Sequence, residues 1–175
     1  MEDMLLEAAS GWFANWWWLI APAVAIAILL AVAFGKRSIT GKAYVTDGDG
    51  IRVAGQDVRL AGLDAPEWDQ KAKHRDGYWF NHGKRVKSAL IREIGGKPVR
   101  VSVEGTDKFG RRLGIVTYKG RDIGEWLVRE GHAIAAYGDQ YLHMERETRE
   151  AKRGMWAHAH NFDPRAHRHR ERRKG

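Results

Sequence analysis

From Lys42 to Tyr118 the chain is built from short, apolar, β-branched runs cut apart by glycine. The runs are Lys42–Thr46, Gly50–Ala54, Gln56–Leu63, Val99–Val103 and Leu113–Tyr118. Ala54-Gly55-Gln56-Asp57 supplies a tight hairpin between the second and third. Strands this short bury a useful face only as part of a larger sheet. Three helices accompany them. Tyr78–Ile94 carries Phe80, Gly83, Val86, Leu90 and Ile94 along one stripe. Asp122 can cap a second helix that turns Ile123, Trp126 and Leu127 inward, and Tyr141, Met144, Thr148, Ala151 and Met155 mark a third. Those aromatic and methionine stripes read as core packing. Five short strands with helices between and after them predict an α+β chain centred on a small closed β-barrel.

Every one of the 30 Lys and Arg residues follows Gly35. Of the 22 acidic residues, only Glu2, Asp3 and Glu7 precede it, which leaves 19 and a net charge of +11 from Lys36 onward. Such a surplus favours a polyanionic partner, because neutralising phosphates releases condensed counterions. The absence of cysteine excludes disulfides and thiolate chemistry.

The stretch Ala8–Gly35 has no charge, and Trp16-Trp17-Trp18 leads it into an apolar run ending at Phe34. About 20 such residues cross a bilayer, with tryptophans in the interfacial belt and Lys36-Arg37 at the far end. Residues 1–35 are therefore expected to form one transmembrane helix. Ala31-Val32-Ala33 has the form a signal peptidase accepts, but the acidic start argues for a retained anchor. Residues 36–41 read as a linker, 42–160 as the folded domain and 161–175 as a basic, disordered tail. His158, His160, His167 and His169 lack cysteine or carboxylate partners at zinc-site spacing, so a zinc site is not expected there.

Three motifs carry chemistry: Asp47-Gly48-Asp49, Arg59-Leu60-Ala61-Gly62-Leu63-Asp64-Ala65-Pro66-Glu67 and Asp107-Lys108-Phe109-Gly110-Arg111. Carboxylates hold a hard divalent cation through oxygen. Two arginines can clamp a phosphate by paired hydrogen bonds, and a further carboxylate can align or deprotonate water. Arg59 stands inside an apolar run, where a charge is costly without a partner. This kit suits metal-assisted attack on a phosphodiester.

In order and spacing, these motifs resemble the staphylococcal nuclease (thermonuclease) family, as do Leu127–Gly131, Ala135-Ala136-Tyr137 and Gly154-Met155-Trp156. The resemblance implies an OB-fold barrel and calcium-dependent hydrolysis of DNA and RNA, leaving 3′-phosphate ends. It implies Asp49, Asp64 and the Ala65 carbonyl as Ca²⁺ ligands, and Arg59, Glu67 and Arg111 as catalytic residues. Lys108 and Tyr137 match positions lining the nucleotide site. Whether Glu67 is a true base or only orients water stays open. Gly50 and Phe109 stand where the family usually has a hydroxyl residue and a tyrosine, and the hairpin between Asp49 and Arg59 is short. A non-catalytic nucleic-acid-binding barrel is the rival reading, disfavoured because both arginines, the glutamate and both aspartates survive together. A basic domain that only docks on lipid leaves Arg59 unexplained. No protein partner is implied. Lys36, Arg37 and Lys42 point to a cytoplasmic domain by the positive-inside rule. The host's need to be spared an unspecific nuclease points to the outer face, which is the expectation here.

Overall fold

The structure is a computed structural model and describes residues 20–27, 37–158 and 164–173. It divides into two units, Met1–Lys36 and Arg37–Gly175. In the first, residues 20–27 are helical and exposed. The rest of the expected 1–35 anchor lies outside the described residues. Among those described, no helix is long and apolar enough to cross a membrane.

In the second unit, β1 (Ser38–Val45), β2 (Gly50–Val53), β3 (Gln56–Leu60), β7 (Pro98–Thr106) and β8 (Arg112–Tyr118) follow one another round a closed five-stranded barrel. The order is β3-β2-β1-β7-β8, and β8 returns to β3 by a parallel pairing of Val58, Arg59 and Leu60 with Arg112, Leu113 and Gly114. All the other barrel pairings are antiparallel. Two-stranded pieces flank it: β4 (Leu63–Asp64) with β10 (Ile134–Ala135), and β5 (Lys71–Lys73) with β6 (Trp79–Asn81). The edge strand β9 (Arg121–Asp122) extends β8.

Helix α1 (His82–Ile94) lays Val86, Leu90 and Ile94, all fully buried, against the barrel core. In α2 (Ile123–Arg129), Asp122 caps the start by accepting from Gly124 and Glu125, as the sequence led us to expect. Its second carboxylate oxygen accepts from the buried Tyr141 hydroxyl at 2.9 Å, which ties α2 to the start of α3 (Leu142–Glu150).

Several boundaries differ from the sequence reading. The linker at 36–41 is largely strand, because Ser38–Lys42 pairs with β7 before the same strand turns to β2. The single run Gln56–Leu63 breaks at Gly62, whose φ of +76° ends β3 and starts β4. The helix begins at His82 rather than Tyr78, since the Asn81 side chain caps it and Trp79–Asn81 pairs with β5. The last helix stops at Glu150. Lys152 and Gly154 both take positive φ, and Met155 joins a separate 3₁₀ turn, Gly154–Ala157. The tail carries a helix, α4 (Pro164–Arg172), where disorder was expected. Proline suits a first turn, and arginine is a good helix former.

Burial pushes the His82 imidazole from its ordinary 6.5 down to about 4, with His158 and His132 acting in the same direction. An unfolded chain takes up this proton below about pH 6.5, the folded one only near 4. Protons therefore favour unfolding across that window. The stability contribution is present above pH 6.5 and is lost as pH falls towards 4. Compared with His82→Gln in urea unfolding, the wild type should lose on the order of 3 kcal/mol of relative stability between pH 7 and pH 4. A difference independent of pH would show that His82 titrates normally.

Candidate active site

The tight turn after β1 folds Asp49 inward, where it is buried. Thr46 and Asp47 both donate their amides to the Gly50 carbonyl. A Cβ at Gly48 would press on Ala65 and Val86 at 3.0 and 3.2 Å, and one at Gly50 would sit 2.8 Å from the Thr46 hydroxyl. The missing side chain at Gly50 is therefore a matter of room. Across the ladder, Gly50 pairs with Arg59.

Arg59 has the partner its burial demands. Its Nη2 lies 2.6 Å from Asp49 Oδ2 and 2.8 Å from Asp64 Oδ1. Asp64 is fully buried on β4, held in register by Ile134. Burial raises the Asp49 carboxyl to about 6; Arg59 opposes this, while Asp64, Asp47 and Glu67 add to it. Burial likewise raises Asp47. Asp49 thus feels the like charge of three other carboxylates, which a bound cation would relieve.

Among the described residues, no group of three or more histidine, aspartate or glutamate side chains is arranged to hold a metal ion. What converges is two carboxylates on one point, with the buried Ala65 following Asp64 in the chain. An all-oxygen set this sparse fits a hard cation that completes its shell with water.

Glu67 projects from a turn that Gln70 closes twice, once by its side chain accepting from the Glu67 amide and once by its own amide donating to the Glu67 carbonyl. Gly83 of α1 packs directly on this turn. The sequence reading placed Gly83 on the helix stripe and missed its role here, for a glycine gives no sign of what approaches it.

The other half of the site is a cleft of about 480 Å³, lined by Arg59, Lys108, Arg111 and Tyr137 among others. Arg111 is held by Asp107, whose Oδ2 accepts from Nε at 2.8 Å and lies 2.7 Å from Nη2. Asp107 also accepts from the amides of Phe109 and Arg111, so one carboxylate shapes the turn and aims the arginine. Arg112 turns away to Gln56 and Thr106. Phe109 is exposed, with Lys108 and Arg111 both over its ring. Tyr137 is exposed and left-handed at φ +60°, a conformation costly for a non-glycine residue and often found at functional sites.

One residue arrives from outside the sequence-derived set. Arg168 of α4 bonds Asp64 Oδ2 at 2.6 Å, Asp64 Oδ1 at 3.2 Å and Glu67 Oε1 at 2.8 Å. On the same helix, Arg165 lies over the Tyr137 ring and His167 is 3.6 Å from Asp69. The structure thus joins Asp49, Arg59, Asp64 and Glu67 through shared ion pairs, and Arg59, Lys108, Arg111 and Tyr137 through one cleft.

Residues 57–158 match the staphylococcal nuclease homologue family, a span holding every one of these residues except Asp49 and the α4 side chains. The chain belongs to the staphylococcal nuclease family. It is 32% identical over 140 residues to the succinoglycan biosynthesis protein ExoI of Rhizobium meliloti (strain 1021), covering 77% of this chain and 73% of that one. It is 30% identical over 138 residues to an uncharacterized endonuclease of Escherichia coli O157:H7, covering 73% of this chain and 82% of the other. A probable staphylococcal-like nuclease of Oryza sativa subsp. japonica is 35% identical over 104 residues, 57% of this chain but only 26% of the rice protein. The staphylococcal nuclease domain and the nuclease-named relatives make the chain a hydrolase of the nuclease class. The closed five-stranded barrel is the architecture expected of that family's OB fold.

Proposed function

We propose that the chain is a calcium-dependent phosphodiesterase that cuts DNA and RNA with little regard for sequence. The observation that carries this reading is Arg59, whose guanidinium meets both buried carboxylates while its side chain also lines the cleft. One group thereby joins a cation-seeking acidic cluster to a phosphate-seeking basic one. Asp49, Asp64 and the Ala65 carbonyl would hold Ca²⁺. When bound, the ion supplies positive charge against the phosphoryl oxygens.

The chain's own groups account for the remaining chemistry. Arg59 and Arg111 donate to the phosphoryl oxygens as their charge grows. Glu67 orients the attacking water and takes its proton as the new P–O bond forms in line. The P–O5′ bond breaks, its electron pair leaves on the 5′-oxygen, which takes a proton from solvent water to become a hydroxyl, and the phosphate remains on the 3′ end. Lys108 and Tyr137 hold the neighbouring nucleotide. Residues 1–35 would tether the domain at a membrane, on its outer face. The uncharged stretch and its tryptophans support the tether.

The test is plasmid and RNA digestion with Ca²⁺, with Mg²⁺ and with chelator. Calcium accepts irregular shells of six to eight oxygens, whereas magnesium demands a tight octahedron. Cleavage should need calcium. Equal rates with both ions, or with chelator, would sink the metal assignment.

Arg168 lies on Asp64, a proposed Ca²⁺ ligand, and on Glu67, so a cation entering at Asp64 must displace it. Arg168→Ala should therefore bind Ca²⁺ about tenfold more tightly, since a hydrogen bond to a charged group contributes about 1.5–3 kcal/mol. Calorimetry reads this without reference to cleavage. Unchanged or weaker affinity would mean that α4 does not compete with the ion.

A further inference from the structure

The β5–β6 hairpin presents a face that the proposed chemistry does not use. Its register pairs Lys71 with Asn81, Ala72 with Phe80 and Lys73 with Trp79. Alternation sends Ala72 and Phe80 inward, where they pack with Met155 and Trp156. Lys71, Lys73, Trp79 and Asn81 therefore share the outer face. Trp79 is 60% exposed, Trp68 57% and Tyr78 51%. Burying an aromatic of this size is worth about 1.5–3 kcal/mol, and Trp68 and Trp79 offer exposed ring surface that a ligand can cover.

The surroundings indicate which occupant. Lys84 Nζ lies 5.4 Å from the Trp68 ring centre, and its amide donates to Asn81 Oδ1, which joins Trp68 to the hairpin face. Tyr78 stacks on His74 at 4.5 Å on the opposite side, beside Phe80, and so braces the hairpin from within. From Trp68 to Lys87 there are six lysines and arginines against two aspartates. Both Asp76 and His74 are occupied with each other at 3.1 Å. Flat rings interleaved with cations are the means by which proteins hold single-stranded nucleic acid, bases on the rings and phosphates on the charges.

The patch is also in the right place. The hairpin hangs from the Glu67–Gln70 turn, and His82 and Gly83 donate their amides to the Gln70 carbonyl. None of its residues lines the cleft of Lys108 and Tyr137. We infer that Trp68, Trp79 and the lysines 71, 73 and 84 form a second binding surface. It takes an unpaired tract of the nucleic-acid substrate several nucleotides from the scissile bond. The inference rests on the nuclease reading of the site for the identity of that strand.

The test uses the full chain and a Trp68→Ala/Trp79→Ala double variant, with a dinucleotide and a single-stranded oligothymidylate of about twenty nucleotides as substrates. Stacking is worth about 1–3 kcal/mol per base, or about 5- to 150-fold. The KM for the long strand should rise at least tenfold, while kcat and KM for the dinucleotide stay unchanged. Equal KM changes for both substrates, or none, would overturn the inference. So would an equal loss on fully duplex DNA, where no base is free to stack. A Lys71→Glu/Lys73→Glu variant provides an independent check through a weaker salt dependence of binding. Fluorescence anisotropy with the labelled oligonucleotide separates this inference from the catalytic reading. If the wild type binds the strand, the double variant does not and neither cuts it, the surface stands and the enzyme assignment falls.

Discussion

Arg59→Lys should lower kcat on DNA by about 10²–10³ while KM moves little, the loss typical of removing one oriented donor from a transition-state site. Lysine keeps the positive charge that Asp49 and Asp64 need, so the fold and the acidic cluster should survive. What lysine lacks is the planar fork, which lets one residue satisfy buried carboxylates and still offer donors to a phosphoryl group. Arg111→Lys should behave alike, because Asp107 engages its Nε and Nη2 while the side chain lines the cleft. Arg112→Lys is the control, since Arg112 is engaged with Gln56 and Thr106. Equal sensitivity at Arg112 would put the third motif out of register by one residue. A silent Arg59→Lys in a folded protein would remove the phosphate clamp altogether.

Gly83→Ala should cost both stability and activity, and activity more. A Cβ there would lie 1.7 Å from the Glu67 carbonyl oxygen and 2.6 Å from its carbon. These are backbone atoms, so relief requires either the Glu67 turn or the first turn of α1 to move. Overpacking of this kind typically costs about 1–3 kcal/mol. The better helix propensity of alanine returns at most about 1 kcal/mol, and less at a helix's second residue. Any shift of the turn carries Glu67 with it, and a misplacement of about 1 Å can cost on the order of 10² in rate. Gly105→Ala is the comparison, because nothing lies within 4 Å of its added carbon. Thermal melting and kcat measured on both variants decide the matter. If Gly83→Ala melts and cuts like the wild type, α1 does not position Glu67.

The parts that sequence made legible were those governed by local rules. Alternation marked the barrel strands, Asp122 announced its cap, and Arg59, a charge in an apolar run, announced a buried partner. Where two local signals competed, the boundaries slipped. Phe80 fits a helical stripe and a strand equally well, and only the Asn81 cap separates them. Apolar continuity from Val58 to Leu63 concealed the break that Gly62 makes. Long-range contacts left no trace. Arg168 meets acids about a hundred positions earlier in the chain, and a run of basic residues does not show which of them will pair. The exposed aromatics of the hairpin were equally hidden, because the pattern there assigned Phe80 to a helix face and left Trp68 and Trp79 without a place.

The parallel seam between β3 and β8 bears on how the protein is made. Its paired residues stand more than fifty positions apart, so the join requires a long loop to close and belongs to the slow, non-local part of folding. The acidic residues and Arg59 leave the ribosome well before the strand that completes their barrel. Arg111 directly precedes that strand. The second arginine and the final seam therefore arrive in a single event, and Ile134, which holds Asp64 in register, arrives later still.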